Sequence, residues 1–179
     1  GVDGAGVRTG SQATSMASVA VDETGERSFR FLRGADRDLC PEEVDEDAVL
    51  KTKILHFGSV SLTAGMSRSA TIFAARTAHK NGGLVSYDPN YRPALWDNQA
   101  EAAEWMAIPL PLVDIIKLAE EELPLLAGTA DLEEGTRILE ERGLSLIMVT
   151  LGGEGVFCRW KGESWHQPGV PVKVADTNG

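Results

Sequence analysis

Strand-like and helix-like segments alternate along the chain from residue 53 to residue 151, and this alternation limits the possible folds more than any other feature. Residues 53–60 (KILHFGSV) form an apolar run of strand length, and small and apolar side chains then recur at helical spacing from Ala70 to Ala78. The segments LVSYDPN, LVDIIKL and SLIMVTL have the character of three further strands, with helical patterns between them. Because strands joined by helices form parallel sheets, we predict an α/β fold, a mostly parallel sheet with helices on both faces.

The segment that precedes this core has the pattern of a β-hairpin. Val19 and Val21 alternate with small or polar residues, DETGE supplies a turn, and Phe29 and Phe31 alternate again. We place this small β-lid at about residues 12–36 and the α/β core at about residues 50–179, as parts of one domain. A second antiparallel hairpin is predicted from GVFCRW and ESWHQ.

Composition excludes several classes of function. The formal charge of −10 argues against nucleic acid as a partner, because binding its phosphates requires a surplus of Lys and Arg. No apolar run approaches the roughly 20 residues that span a bilayer, so no membrane partner is expected. Cys40 and Cys158 form no C-x-x-C pair, which favours two reduced thiols in a cytoplasmic protein. The three histidines show no ligand spacing, and no Ser-His-Asp arrangement has supporting context.

Polar or glycine-rich residues follow every predicted strand of the core. In an open parallel sheet ligands bind outside the carboxyl ends of the strands, so these residues are expected to meet at one edge. They are Gly58, Asp88, Asn90, Arg92, Lys117, Glu122, Thr150, Gly152, Gly155, Asp176, Asn178 and Gly179.

Three of these strand ends admit both a functional and a purely structural interpretation. In DPNYRPALW, Pro89 and Pro93 fix the backbone around Arg92, which suits bidentate binding of phosphate or carboxylate, although a plain surface turn has the same pattern. The glycines of TLGGEG would let a nucleotide approach the backbone, or would simply form a hairpin turn. In KLAEEEL, Glu122 could hold a magnesium-bound water, or the acidic residues could favour a helix start.

Five motifs, in order, resemble those of the ribokinase-like (PfkB) carbohydrate kinases, and among them most of all the fructokinases. They are ILHFGSVSL, VSYDPNYRPALW, IIKLAEEEL, MVTLGGEG and VADTNG, and the likeness covers essentially the whole chain. The resemblance implies ATP-dependent phosphorylation of a sugar hydroxyl, with Mg²⁺ and in many relatives a monovalent cation such as K⁺. It also implies a ribokinase-like fold.

The resemblance also implies roles for individual residues. Phe31 and Arg33 match lid positions that touch the sugar, and Gly58, Asp88, Asn90 and Arg92 would lie near the substrate. Nucleotide contacts are implied for Lys117, Glu122, Thr150, Gly152, Gly155 and Gly179. Glu122 would act near Mg²⁺ indirectly, and Asp176 with the carbonyl of Asn178 would bind the monovalent cation.

Departures from the family pattern produce further expectations. Ala119 stands where the family usually has Asn or Ser, and Asn178 replaces the second Thr of D-T-T-G. Relatives begin with an additional strand and a Gly-Gly region and continue past D-T-x-G into A-G-D, whose Asp is the catalytic base. We therefore expect a domain that is incomplete at both ends, and a chain that has little activity by itself and exposes apolar surface.

Alternatives remain open at this point. A 2-keto-3-deoxygluconate kinase shares the DxNYRPxLW style of loop, and Arg33 with Arg92 would then hold the substrate carboxylate. A catalytically inactive, regulatory relative is the second alternative, favoured by Ala119. The lid hairpin has exposed edges, so the full protein is expected to form a homodimer through it.

Overall fold

The computed structural model describes residues 3–21 and 27–172, and its first element is the predicted hairpin. Strand β1 (Met16–Val21) pairs antiparallel with β2 (Arg27–Leu32), with Val19 opposite Phe29. The two strands form a sheet of their own, separate from the main sheet. The predicted hairpin is therefore confirmed, while the exact limits of the lid and the core stay predictions.

The described residues contribute six strands to the main sheet, which lie side by side in the order in which they occur along the chain. The first four strands are mutually parallel and the last two are antiparallel, which confirms the α/β fold with a mostly parallel sheet and the second hairpin. They are β3 (Ile54–Gly58), β4 (Leu84–Asp88), β5 (Ile115–Ala119), β6 (Leu146–Thr150), β7 (Gly155–Trp160) and β8 (Glu163–Pro168).

Helices connect the parallel strands, and local capping explains where several of them begin. The side chains of Asp45, Asn98 and Asp131 each accept a hydrogen bond from a backbone N–H in the first turn of the helix that follows. The helices are α1 (Glu46–Lys51), α2 (Met66–Lys80), α3 (Gln99–Ala107), α4 (Leu123–Ala127) and α5 (Leu132–Glu141). Short 3₁₀ turns at Ser59–Leu62, Pro93–Leu95, Glu120–Glu122 and Gly152–Glu154 follow four of the strands.

The buried core lies between the helices and one face of the sheet. Alternate strand residues are fully buried on this face and pack against residues of α2, α3, α4 and α5. The sheet contributes Val85, Tyr87, Ile116, Leu118, Ile147 and Val149.

The opposite face, which we expected to carry helices as well, is partly exposed in the described part of the chain. Ile54 is 53% exposed and Leu84 45% exposed. Strand order supplies the reason: β3 to β6 follow one another in space, and right-handed crossovers between successive neighbours all lie on the same side. Strand β3 is also an edge strand among the described residues, and none of its residues is fully buried.

Within the described residues, none of the helices has the length and apolar character needed to cross a bilayer.

Candidate functional site at the carboxyl edge of the sheet

The parallel strands bring an acid and a base together at their carboxyl ends. Tyr87 pairs with Ile116 in the register, so the next residues along, Asp88 and Lys117, are also neighbours. The Lys117 ammonium lies 3.2 Å from Oδ2 of Asp88, and both side chains are partly exposed. Gly58 is in register with Asp88 on the other side. The sequence-based prediction that these strand ends converge is thus correct for Gly58, Asp88 and Lys117.

The second carboxylate oxygen of Asp88 is shielded from solvent and has unused hydrogen-bonding capacity. No group in the described part of the chain donates a hydrogen bond to Oδ1. A shielded acceptor without a donor is costly, and proteins retain such groups chiefly where a ligand or water supplies the missing hydrogen bond. An ionised carboxylate accepts hydrogen bonds only, so a hydroxyl group is a suitable partner.

The loop after β4 has a fixed and unusual backbone. Asn90 adopts φ = 46°, a left-handed conformation that non-glycine residues seldom take and that often marks functional positions. Arg92 donates from Nη1 to the carbonyl of Tyr91 at 3.2 Å. The 3₁₀ turn Pro93–Leu95 begins directly afterwards and contacts strand β2 of the hairpin. The lid and this loop therefore lie against each other.

Glu122 is almost fully buried, with 3% of its surface exposed, and it joins two of the strand ends. Its Oε1 accepts a hydrogen bond from the N–H of Tyr91, and its Oε2 accepts one from the N–H of Ala119 at 2.7 Å. The carboxylate thus holds the loop after β4 against the end of β5. Since Ala119 contributes its backbone N–H, the absence of a polar side chain at this position does not break the link.

The donor groups in this region fit magnesium only as a hydrated ion. The described residues contain no cluster of three or more His, Cys, Asp or Glu side chains that could hold a metal. Mg²⁺ typically keeps several waters and binds one or two carboxylates together with substrate phosphates. Asp88 is partly exposed and would hold such an ion through water, whereas Glu122 is buried and both of its oxygens already accept backbone N–H groups. The predicted cation ligands Asp176 and Asn178, with Gly179, lie outside the described residues.

The end of β6 supports only part of the predicted nucleotide site. Thr150 donates from Oγ1 to the carbonyl of Leu118 at 3.1 Å, which ties β6 to β5. Gly152 has φ = 57° and no atom within 4 Å of the place that a Cβ would occupy, so its backbone is open to a ligand. At Gly155 a Cβ would lie 2.1 Å from the carbonyl oxygen of Gln167. Close backbone packing in the hairpin is therefore sufficient to explain glycine at position 155.

Arg33 connects the base of the lid to the turn after β3. Its Nη1 donates to Oγ1 of Thr63 at 2.7 Å, its Nη2 to the carbonyl of Val60 at 3.2 Å, and its Nε to Oδ2 of Asp36 at 2.7 Å. Burial tends to raise the pKa of Asp36, but hydrogen bonds from Arg33, Ser15 and Gly34 outweigh it and leave the pKa below its ordinary value. Arg33 is thus already paired with a carboxylate. Phe31 is half-buried at the end of the hairpin.

Sequence reasoning overlooked Arg68, which donates two hydrogen bonds to the same turn. One signal was available: Arg68 is the third residue of α2, where the positive end of the helix dipole disfavours a cation. A cation in that position requires compensating contacts.

Comparisons with known proteins show which family the chain resembles in sequence. The family model described as pfkB family carbohydrate kinase matches residues 1–179. A fructokinase of Klebsiella pneumoniae is 37% identical over 169 residues, covering 94% of this chain and 55% of the relative. Fructokinase-1 of Zea mays is 36% identical over 185 residues, covering 100% and 57%.

Solved structures show the same likeness in three dimensions. A fructokinase from Xylella fastidiosa with bound ATP superposes with a TM-score of 0.85 at 34% identity, covering 96% of this chain and 54% of that one. A fructokinase from Vibrio cholerae O395, described as bound to fructose, ADP and calcium ion, gives a TM-score of 0.79 at 31% identity over 91% and 54%. The chain spans about half the length of these relatives. It belongs to the pfkB family of carbohydrate kinases.

Proposed function

We propose that the protein transfers the terminal phosphoryl group of ATP to a hydroxyl group of a sugar, and that the sugar is fructose. The observation that carries this proposal is the Asp88–Lys117 pair, whose shielded Asp88 oxygen has no hydrogen-bond donor among the described residues. Two kinds of relative support the same proposal, a fructokinase holding ATP and one holding fructose and ADP.

The proposal gives each described residue a positional or electrostatic role. Oδ1 of Asp88 accepts a hydrogen bond from a sugar hydroxyl, which orients the sugar for transfer. The ammonium of Lys117 places positive charge where phosphate oxygens would lie, and the open backbone at Gly152 contacts the nucleotide. Glu122 keeps the loops of Tyr91 and Ala119 together around this space. A hydrated Mg²⁺ would neutralise phosphate charge when bound. No described residue is assigned as the base.

A coupled assay of ADP release tests the proposal on the polypeptide that the gene encodes. Fructose, glucose and 2-keto-3-deoxygluconate are compared at equal concentrations, with ATP and Mg²⁺. We expect the highest kcat/KM with fructose. Equal turnover of ATP without any sugar, or a preference for another of the three substrates, would contradict the assignment.

A 2-keto-3-deoxygluconate kinase is the second candidate, because the loop DPNYRPALW has a comparable form. That substrate would need Arg33 together with Arg92 for its carboxylate, and Arg33 is already paired with Asp36. This pairing makes fructose the better proposal. Absence of turnover with all three substrates would instead favour the regulatory alternative.

Further parts of the proposal concern the ion, the assembly and the location. We propose K⁺ as an activator through Asp176 and Asn178, a dimer formed through the hairpin, and a cytoplasmic protein. Titration of activity with K⁺ against Na⁺ and sedimentation of the gene product test the first two. Loss of the dimer on replacing exposed Met16 and Leu32 by Lys is the expected result.

A further inference from the structure

Arg68 donates hydrogen bonds to a segment of the chain that lies next to the proposed sugar site. The segment, residues 59–64, follows β3 and contains the 3₁₀ turn Ser59–Leu62. Its carbonyl groups are outside the ladders of the sheet and need other donors. Nε of Arg68 donates to the carbonyl of Leu62 at 2.7 Å, and Nη2 donates to the carbonyl of Thr63 at 2.6 Å.

Two further contacts fix the guanidinium of Arg68 itself. The ring of Trp105 lies against it, with 3.5 Å between Cζ and the ring centroid. Glu101, which belongs to α3 as Trp105 does, places Oε1 at 3.9 Å from Nη2. The side chain is 19% exposed, and burial lowers the pKa of Arg68 from its ordinary value, opposed by the charge of Glu101. A planar group stacked on an aromatic ring while donating to two carbonyls is a geometry that Lys cannot reproduce.

Ser67, the residue before Arg68, strengthens the connection between helix α2 and residues 59–64. Ser67 is buried, and its hydroxyl donates to the carbonyl of Ser61 at 3.0 Å and lies 3.1 Å from that of Ala64. Side chains of the first turn of α2 therefore donate to three successive carbonyls of the segment, those of Ser61, Leu62 and Thr63, and lie close to a fourth. The start of this helix and the segment behave as one unit.

The segment in turn touches the candidate site and the lid. The N–H of Ser59 donates to the carbonyl of Pro89 at 3.0 Å, immediately after Asp88. Arg33, at the base of the lid, also binds the segment, through Val60 and Thr63. Residues 59–64 are thus hydrogen-bonded both to the residue that follows Asp88 and to the base of the lid.

We propose that Arg68 is a positioning residue for sugar binding, acting through residues 59–64 on Asp88 and on the base of the lid. This inference rests on the proposed function for its kinetic consequence. Its structural part, that Arg68 orders residues 59–64, does not depend on the substrate.

The test compares Arg68→Gln with Arg76→Gln, an exposed arginine of the same helix, in the polypeptide that the gene encodes. Because small misplacements of positioning groups cost up to about 100-fold, we expect the KM for the sugar to rise about tenfold or more in Arg68→Gln. The KM for ATP should stay within about twofold, since no contact of Arg68 reaches the end of β6. Arg76→Gln should match the wild type in both.

Hydrogen exchange provides a second readout that needs no activity. The amides of residues 59–64 should exchange faster in Arg68→Gln, while those of β5 and β6 keep the wild-type rate. If Arg68→Gln does not fold, the same measurements are made on Arg68→Lys. Lys retains the positive charge and the aliphatic part of the side chain but lacks the planar guanidinium group.

The outcomes separate the two proposals. If the wild-type protein phosphorylates no sugar, the proposed function is refuted. The hydrogen-exchange rates of residues 59–64 in Arg68→Gln then show by themselves whether Arg68 orders this segment. An active wild type with unchanged sugar KM and unchanged exchange in the variant overturns the inference. An equal rise in both KM values also overturns it, because that would indicate general destabilisation.

Discussion

Two polar clusters lie at different edges of the main sheet, and they differ in how completely their hydrogen-bonding groups are used. Around Arg159, Nε donates to Glu140 at 2.8 Å and Nη1 to Glu133 at 3.2 Å. The second oxygen of Glu140 accepts from the N–H of Gly162, and Glu133 also accepts from Ser164. All four carboxylate oxygens therefore have donors.

The cluster of Asp88 and Lys117 differs in this respect. One oxygen of Asp88 pairs with Lys117, and the other receives no hydrogen bond from any residue that the structure describes. A polar cluster stabilises the fold most when every group in it is hydrogen-bonded, whereas a binding site must leave some donors or acceptors unpaired for its ligand. An unsatisfied hydrogen-bond acceptor at a strand end is therefore a better marker of a functional site than a fully hydrogen-bonded cluster. Substitutions in the two clusters can test this distinction.

The largest effect is expected for Asp88→Asn. The amide cannot balance the charge of Lys117, and it presents a donor where the proposed sugar hydroxyl needs an acceptor. We expect kcat/KM for the sugar to fall about 100-fold or more, with little change in thermal stability. Steady-state kinetics and thermal unfolding provide the measurement, with exposed Asp47→Asn as the matched control. Wild-type kinetics in Asp88→Asn would show that the unsatisfied oxygen of Asp88 does not mark a functional site.

A smaller effect, on stability, is expected for Glu122→Gln. Both oxygens of Glu122 accept backbone N–H groups, so an amide nitrogen in one position leaves a buried N–H without an acceptor. The free energy of unfolding should fall by about 1–3 kcal/mol. Urea denaturation measures this, and Glu121→Gln, on the exposed side of the same turn, should be neutral. Equal stability of the two variants would show that the link is not formed.

The smallest effect is expected for Glu140→Gln in the saturated cluster. The hydrogen bond from Arg159, with that from Gly162, lowers the pKa of Glu140 below its ordinary value of 4.5. A carboxyl group with a lowered folded-state pKa stabilises the fold above its unfolded-state pKa, and this contribution disappears as pH falls through the folded-state pKa. Given partial exposure, we expect a loss of about 0.5 kcal/mol near neutral pH.

Urea denaturation at several pH values checks this expectation. The difference between the wild type and Glu140→Gln should shrink steadily as pH falls below the ordinary value of 4.5. Catalytic activity should be unchanged. A difference that grows in acid would have the opposite sign to the lowered pKa and would refute the assignment.

The sequence was sufficient to predict the order and type of the helices and strands from residue 53 to residue 168, whereas helix α1 was not predicted. Strand-like and helix-like hydrophobic patterns alternate clearly between residues 53 and 151, and glycines end the helical patterns. The convergence of Asp88 and Lys117 also followed, because parallel strands bring their carboxyl ends to one edge.

What the sequence did not reveal depends on spatial neighbours. The sheet face on which the helices pack follows from strand order, which periodicity does not encode. One of the two hydrogen bonds of Glu122 joins residues 31 positions apart, and the contacts of Arg68 involve a different helix. Gly155 was expected to contact a nucleotide, yet the nearby backbone of Gln167 is enough to require glycine there.

The link between Glu122 and Ala119 has a consequence for how this protein can change over evolution. A side-chain donor at position 119 could be lost by many substitutions, whereas a backbone N–H is removed by proline alone. Position 119 should therefore accept a variety of small residues in a mutational library, while position 122 accepts few. We expect the departure from the family pattern at Ala119 to be a neutral substitution, because the hydrogen bond belongs to the main chain.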